Sequence, residues 1–204
     1  YTTDHRSPLP ERWGGWYVTG RGGRHLGNAP IADRTLQDVR IEESNLNLTS
    51  LADRFDTQSY LSPHSDIVAL LVFNHQMRMM NLLTRLGWEA RVLEHDGRPT
   101  AAGLNEVVTE VVDYMLFIDE APLEGVRGTS GFAERFSAQG PRDGKGRSLR
   151  DLDLQRRLFR YPCSYMIYSG AFGALPDSAR HALYAPLWQI LSGRDTSPKY
   201  ARVS

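Results

Sequence analysis

His75 and Met79 stand four residues apart, one helical turn, in a stretch whose apolar spacing reads as helix. A neutral imidazole and a soft thioether at that spacing form a donor pair for copper(I), and either alone can approach a haem iron. On a helix, His75 shares its face with Leu71, Met79, Leu82 and Leu86. An imidazole in such company must be hydrogen-bonded or ligated. The plainer alternative is that His75 bonds a main-chain carbonyl while Met77, Met79 and Met80 fill gaps.

A second concentration of chemistry lies at Arg12-Trp13-Gly14-Gly15-Trp16-Tyr17-Val18-Thr19-Gly20 and Arg24-His25-Leu26-Gly27-Asn28. Glycine serves where φ must be positive or where something approaches the backbone closely. Large aromatics beside such glycines make a shaped platform, with Trp13 and Trp16 as walls. His25, set among Gly22, Gly23 and Gly27, either reaches a ligand or is an ordinary loop residue. His64 falls in the first turn of the expected helix, whose positive end favours a neutral imidazole. It is read either as a ligand or base, or as an exposed first-turn residue. His5, His95 and His181 read as surface residues.

No complete catalytic motif accompanies these residues. Asp4-His5-Arg6 has no nucleophile elbow beside it, and Gly20-Arg21-Gly22-Gly23 lacks the strand–turn–helix setting of a dinucleotide site. Asp143-Gly144-Lys145-Gly146 is most simply a surface turn, and Asp119-Glu120 are adjacent solvated acids. Cys163 follows Pro162 at an expected helix start, a position that lowers a thiol pKa. Tyr161, Tyr165 and Met166 around it favour a buried, inert thiol instead. A single cysteine excludes an internal disulfide and a thiolate metal cage.

The elements that must position these residues are helical. Ser62-Pro63 is a cap followed by a proline suited to the first helical position. The spacing predicts a helix from Pro63 to Leu86, stopped by Gly87, apolar all round in its first half and hence central and buried. A second helix starts at Thr100, with Leu104, Val107, Val108, Val111, Met115 and Ile118 at helical spacing. A short helix around Phe132 and Phe136 ends near Gly140. Ser148–Tyr161 is helical in its first part, Pro162 opens a helix through Phe172, and Pro176 opens the last through Ser192, bent at Pro186. The expected architecture is mainly α: a single helical domain over 1–204. It comprises a long irregular, aromatic, Gly-rich wrapping segment (1–60), with a short strand pair around Trp16–Thr19, a helical body (61–192) and a loose tail (193–204).

Twenty-four basic and 24 acidic residues cancel, which argues against a nucleic-acid partner. All but two of the cations are arginine, giving planar, always-charged donors. The longest apolar run, Ile67–Phe73, is too short to span a bilayer. Beginning at Tyr1 without methionine, the chain is read as processed or as a piece of a longer protein.

Several blocks together carry a resemblance. They are Asp4–Leu9, Glu11–Gly20, Arg24–Asn28, Tyr60–Leu70, His75-Gln76, Arg127–Ser130, Gly146–Asp151 and Leu158–Tyr165. In these the chain resembles the body of a poorly characterised family of exported, often lipid-anchored bacterial proteins. Those proteins carry a c-type cytochrome-like segment, with its Cys-x-x-Cys-His motif, ahead of this body. This chain has no such motif, so the resemblance implies a haem c attached outside it. His25, His75 and Met79 would be ligand candidates and Trp13 and Trp16 the walls. Where the family tends to carry extra histidines after His75-Gln76, this chain has Arg78 and Met80, leaving His75 and Met79 as the metal pair.

The resemblance implies a periplasmic or otherwise extracytoplasmic redox body that packs beside a haem-bearing segment or cytochrome partner and serves electron transfer. The alternative is a non-catalytic structural or docking subunit of a membrane-associated assembly, its exposed Trp and Tyr acting as binding hot spots. A thiol-dependent enzyme built on Cys163 is the third expectation.

Overall fold

The computed structural model describes residues 3–29, 42–98 and 100–203. Residues 1–2 and 30–41 of the expected wrapping segment, residue 99 of the expected body and the last residue of the expected tail lie outside the described residues. The protein is mainly α, as the periodicity predicts. Its helices are α1 (Ile67–His95), α2 (Thr100–Gly103), α3 (Asn105–Met115), α4 (Phe132–Ala138), α5 (Gly170–Gly173) and α6 (Asp177–Leu191), with short 3-10 turns between. Instead of a strand pair at Trp16–Thr19, isolated bridges pair Thr19 with Asp66, Arg21 with Arg127 and Leu152 with Phe159. The chain groups into two compact units. One is Tyr1–His75 with Glu120–Tyr161; the other is Gln76–Asp119 with Pro162–Ser204.

The first unit is largely irregular backbone. It holds the first nine residues of α1, α4, and the 3-10 turns Leu9–Glu11 and Glu43–Asn45. Leu9, Trp13, Val18, Leu51, Ile67, Val68, Leu71, Val126, Leu158 and Phe159 are buried in it. Helix α1 starts later than Ser62-Pro63 proposes, because Asp66 is the stronger cap. Its Oδ1 accepts the Val68 N–H at 2.8 Å, while its carbonyl accepts from Leu70. Ser62 instead turns back on the His64 N–H at 3.2 Å, so His64 precedes the helix rather than occupying its first turn. The first half of α1 is not wholly buried: Ile67, Val68, Leu71, Val72 and His75 face inward, but Phe73 is 49% exposed.

The second unit carries the rest of α1, then α2, α3, α5 and α6. Met79, Leu82, Leu83, Leu86, Val107, Val111, Met115, Leu183, Leu187 and Ile190 are buried there. Gly87 does not stop α1. The helix continues to His95, and Gly97 just beyond it, with a φ of 64°, supplies the left-handed residue that a terminating motif needs. Gly97 N–H bonds the Glu94 carbonyl and Arg98 N–H the Leu93 carbonyl, the paired bonds of that motif. The second predicted helix breaks at Leu104 into α2 and α3. The helix expected after Pro162 shrinks to the 3-10 turn Tyr165–Tyr168 and α5. The last helix holds, with Pro186 inside it. The tail is docked rather than loose: Lys199 Nζ lies 2.5 Å and Tyr200 Oη 2.8 Å from the Asp113 carboxylate.

Candidate functional site

The polar interior of the first unit is built where the N-terminal segment crosses the start of α1. His5 and His75 meet there, Nδ1 to Nδ1, at 2.9 Å. Their ring centroids are 5.1 Å apart and the rings are inclined by 21°. That separation is close to the largest that two five-membered rings joined by such a contact can have, so both Nδ1 atoms lie near the line of centres. The rings meet head-on. One Nδ1 therefore carries a hydrogen and the other presents its lone pair, with one proton between them.

Both rings are buried, His75 at 0% exposure. Burial pulls the His75 pKa down to about 3, with the Asp4 carboxylate pulling the other way. Burial also drives His5 well below its ordinary value, reinforced by His75, Arg6 and Arg12. The pair is uncharged at neutral pH. The edge of Phe159 faces the His75 ring at 6.0 Å.

Around the pair, backbone and side-chain bonds fix the N-terminal segment. Arg12, 1% exposed, donates through Nη2 to the carbonyls of His5 (3.0 Å) and Ser7 (2.6 Å), and through Nε to Ser7 (2.8 Å). A buried guanidinium costs little only when carbonyls satisfy it this way. The His5 carbonyl also takes the Ala121 N–H at 3.0 Å. Asp4 is gripped by the Arg6 fork, at 3.1 Å to Oδ1 and 2.7 Å to Oδ2. Glu120, far from being a solvated acid, is raised in pKa by burial, partly offset by the Leu158 N–H, Arg157 and Arg12.

One step along α1, Asn74 Oδ1 accepts the Trp13 indole N–H at 2.9 Å. The Trp13 ring in turn stands edge-on to His25, with centroids 5.6 Å apart and planes at 69°. Trp13 and His25 are both buried, so His25 belongs to the interior rather than to a reaching loop. Burial lowers its pKa, while the Gly27 backbone beside it pushes the other way. His25 Nδ1 sits against Gly27 without a hydrogen bond of normal geometry.

The nominated residues thus divide. His75, Trp13 and His25 share the interior of the first unit. Trp16 is 59% exposed and walls no interior site. Met79, fully buried, belongs to the second unit. His5, read as a surface residue, is the partner of His75 instead. His64 is half-buried, with Nδ1 3.5 Å from the Thr129 hydroxyl. His95 and His181 are exposed as expected.

The fit of these residues to a metal or haem follows from the same geometry. Two imidazoles on one tetrahedral ion aim their lone pairs at a shared point off the line between them. Here they aim at each other. With metal–nitrogen bonds of about 2.0–2.1 Å, a linear ion would hold the nitrogens about 4 Å apart rather than 2.9 Å. As arranged, His5 and His75 hold a proton. Among the described residues no group of three or more His, Cys, Asp or Glu is placed to hold a metal ion. An axial haem ligand needs a ring nitrogen turned to an open face. His75 gives its Nδ1 to His5, and His25 Nδ1 makes no hydrogen bond of normal geometry.

Sequence reasoning missed a second hub. Asp66, besides capping α1, accepts the N–H groups of Thr129 (2.9 Å) and Ser130 (2.8 Å) and the Ser130 hydroxyl (2.7 Å) on Oδ2. The Asp66 backbone pairs with Thr19, whose hydroxyl lies 3.2 Å from that of Thr129. A Cβ on Gly128 would fall 2.6 Å from both Asp66 oxygens, which is why glycine stands there. The one signal for this hub was an acid directly ahead of the apolar run Ile67–Phe73.

Outside this interior lies an aromatic surface. Tyr17 packs on Phe55 (5.2 Å between centroids) and Phe55 on Tyr60 (5.5 Å), with Trp16 and Leu61 at the two ends in sequence. Tyr60 is 63% exposed, and Trp16, Tyr17 and Leu61 are exposed too. Among the described residues no helix is long and apolar enough to cross a membrane. Compared with known protein families, with curated proteins and with solved structures, the chain matches none.

Proposed function

We propose that this chain is a non-catalytic docking body for the haem-bearing segment of an exported c-type cytochrome-like protein. The observation that carries this reading is the packed row of rings Tyr17, Phe55 and Tyr60, in which Tyr17 and Tyr60 are exposed over a half-buried Phe55, with Trp16 and Leu61, their neighbours in sequence, exposed too. Large aromatics left in water at one place are the composition of a binding hot spot. His5, His25 and His75, by contrast, are closed into the interior, and the Cys163 thiol is pushed up to about 11 by burial, away from reactivity. The partner and the extracytoplasmic setting come from the family resemblance.

The test is a titration of the chain with a purified cytochrome c-like segment of that family, followed by nuclear magnetic resonance of the chain. Perturbations should gather at Trp16, Tyr17 and Tyr60. A Trp16→Ser, Tyr60→Ser double variant should weaken the complex by about tenfold or more. Equal affinity in the double variant would reject the docking face.

A redox role is the second reading, favoured by the uncommitted Nδ1 of buried His25 beside Trp13. A haem held by a partner would supply the one-electron chemistry. His25 would have to be uncovered by a shift of residues 22–27 to meet it. His25→Ala should then alter the haem spectrum of the assembled protein, and an unchanged spectrum removes this reading.

A further inference from the structure

The head-on contact between His5 and His75 has a property that a hydrogen bond to a carbonyl lacks: it can be cancelled by protons. In the neutral pair one Nδ1 donates and the other accepts. A first added proton leaves that bond in place. A second puts hydrogens on both facing nitrogens, and two imidazolium rings then confront each other 2.9 Å apart. We propose that the His5–His75 pair is an acid-sensitive latch: it holds residues 3–13 against the start of α1, and acid opens that segment locally because the parted rings take up the two protons that the closed contact excludes.

The charged groups facing the pair favour a sharp release. From the N-terminal segment come Arg6 and Arg12, both opposing protonation of His5, and Asp4, which favours protonation of His75. The Asp4 carboxylate is already engaged by Arg6, which dilutes its help. From the 119–126 segment Glu120 lies near Arg12, and its raised pKa makes it an early group to lose its charge in acid. Behind it, Arg157 and Asp153 face Glu120 rather than the imidazoles. The first residues of α1 bring Asn74, and the 152–159 turn brings Phe159, neither of them charged. Asp4, engaged by Arg6, and Glu120, beside Arg12 and Arg157, are each already offset by a cation, so a doubly charged pair stays costly in the closed segment.

Arg12 binds carbonyls within the same segment, at His5 and Ser7, so those bonds travel with it. Its links to the rest of the unit include the Ala121 N–H on His5, the Leu26 N–H on Arg12, the Trp13–Asn74 bond and the burial of Leu9. Opening would uncover Trp13.

Amide hydrogen exchange read by mass spectrometry on the whole chain, corrected for intrinsic rates, tests the latch between about pH 7.5 and pH 4. Residues 3–13 should lose protection in acid at a higher pH than residues 67–75 of α1. In a His5→Gln variant, an amide can face His75 whether or not that ring is charged. The midpoint for residues 3–13 should then drop by about one pH unit or more. Two results would overturn the latch. One is protection of residues 3–13 and 67–75 lost together in the unaltered chain, or retained by both throughout. The other is a His5→Gln midpoint equal to that of the unaltered chain. The comparison within the unaltered chain decides the matter even if the variant folds poorly.

Discussion

A single carboxylate oxygen of Asp66 takes the Ser130 hydroxyl at 2.7 Å and the Ser130 amide at 2.8 Å. The other oxygen of Asp66 caps α1 at Val68. One side chain thus ties the start of a 29-residue helix to a loop 64 positions away. Charge-assisted bonds of this kind are about twice as strong as neutral ones. Asp66→Ala should destabilise the chain by about 3–4 kcal/mol, and Asp66→Asn by less, measured by urea unfolding. A loss below about 1 kcal/mol for Asp66→Ala would mean that the hub holds nothing.

The sign of the pH dependence at Asp66 follows from its partners. Burial pushes its pKa up, but the Ser130 hydroxyl and the amides of Ser130, Val68 and Thr129 together hold it below the usual carboxylate range. A depressed carboxyl contributes stability above its unfolded pKa of about 4, and that contribution is lost as pH falls through the folded value. Asp66→Asn should therefore differ from the unaltered chain at neutral pH and converge on it in strong acid. Parallel stability curves down to acid would remove the assignment.

The histidines act in a higher window and with the opposite charge logic. His75, His5 and His25 all have depressed pKa values through burial, His75 to about 3. The unfolded chain takes protons on these rings below about pH 6.5, where the folded chain refuses them. Global stability should be flat above that point. Below it, stability should fall by up to about 1.4 kcal/mol per pH unit for each histidine. Denaturant midpoints measured from pH 7.5 downward check this, and a level profile through the histidine range contradicts it.

How far the sequence discloses all this varies by element. The inward face of α1 was legible, because Leu71, His75, Met79, Leu82 and Leu86 recur at helical spacing and all five are buried. The ends of α1 were not. Ser62-Pro63 is a good local start signal, yet Asp66 wins because its carboxylate also answers the distant 129–130 amides. Ser148–Tyr161 shows another override. Asp153 turns its carboxylate on the amides of Gln155 and Arg156, and Leu154 adopts a φ of 61°, so the expected helical part gives way to a turn closed by the Leu152–Phe159 bridge. The interior site was legible by half. His75 demanded a partner on polarity alone, but nothing in a sequence separation of 70 residues names His5 as that partner.

Two neighbouring tryptophans separate structure from surface. Trp13 is buried and donates to Asn74, whereas Trp16 stands in solvent. Trp13→Phe should cost about 1–2 kcal/mol through the unanswered Asn74 and the lost ring volume. Trp16→Ser should stay within about 0.5 kcal/mol. Thermal unfolding of both variants checks the contrast, and equal costs would contradict the placement of one of the rings.

Glycines 87 and 97 invert the stop signal read from the sequence. Gly97 ends α1 with φ 64° and open space around it, so Gly97→Ala pays only backbone strain, about 1 kcal/mol. Gly87 lies within the helix, where a Cβ would meet Arg91 Nη1 at 3.1 Å and Leu175 Cδ2 at 3.2 Å. Alanine there gains helix propensity of up to about 1 kcal/mol against that crowding. Urea midpoints should show Gly97→Ala as the more harmful change. The reverse order would place the end of α1 back at Gly87.

Cys163 tests the thiol-enzyme alternative. Burial raises its pKa to about 11. At pH 8 a thiol of that pKa is about one part in a thousand thiolate, against about a quarter for an ordinary cysteine. Since the thiolate is the reacting form, an aromatic disulfide reagent should label the native chain about a hundredfold or more slowly than it labels the chain in denaturant. Rapid native labelling at neutral pH would require a base beside the sulfur, and with it a return of the thiol-dependent reading.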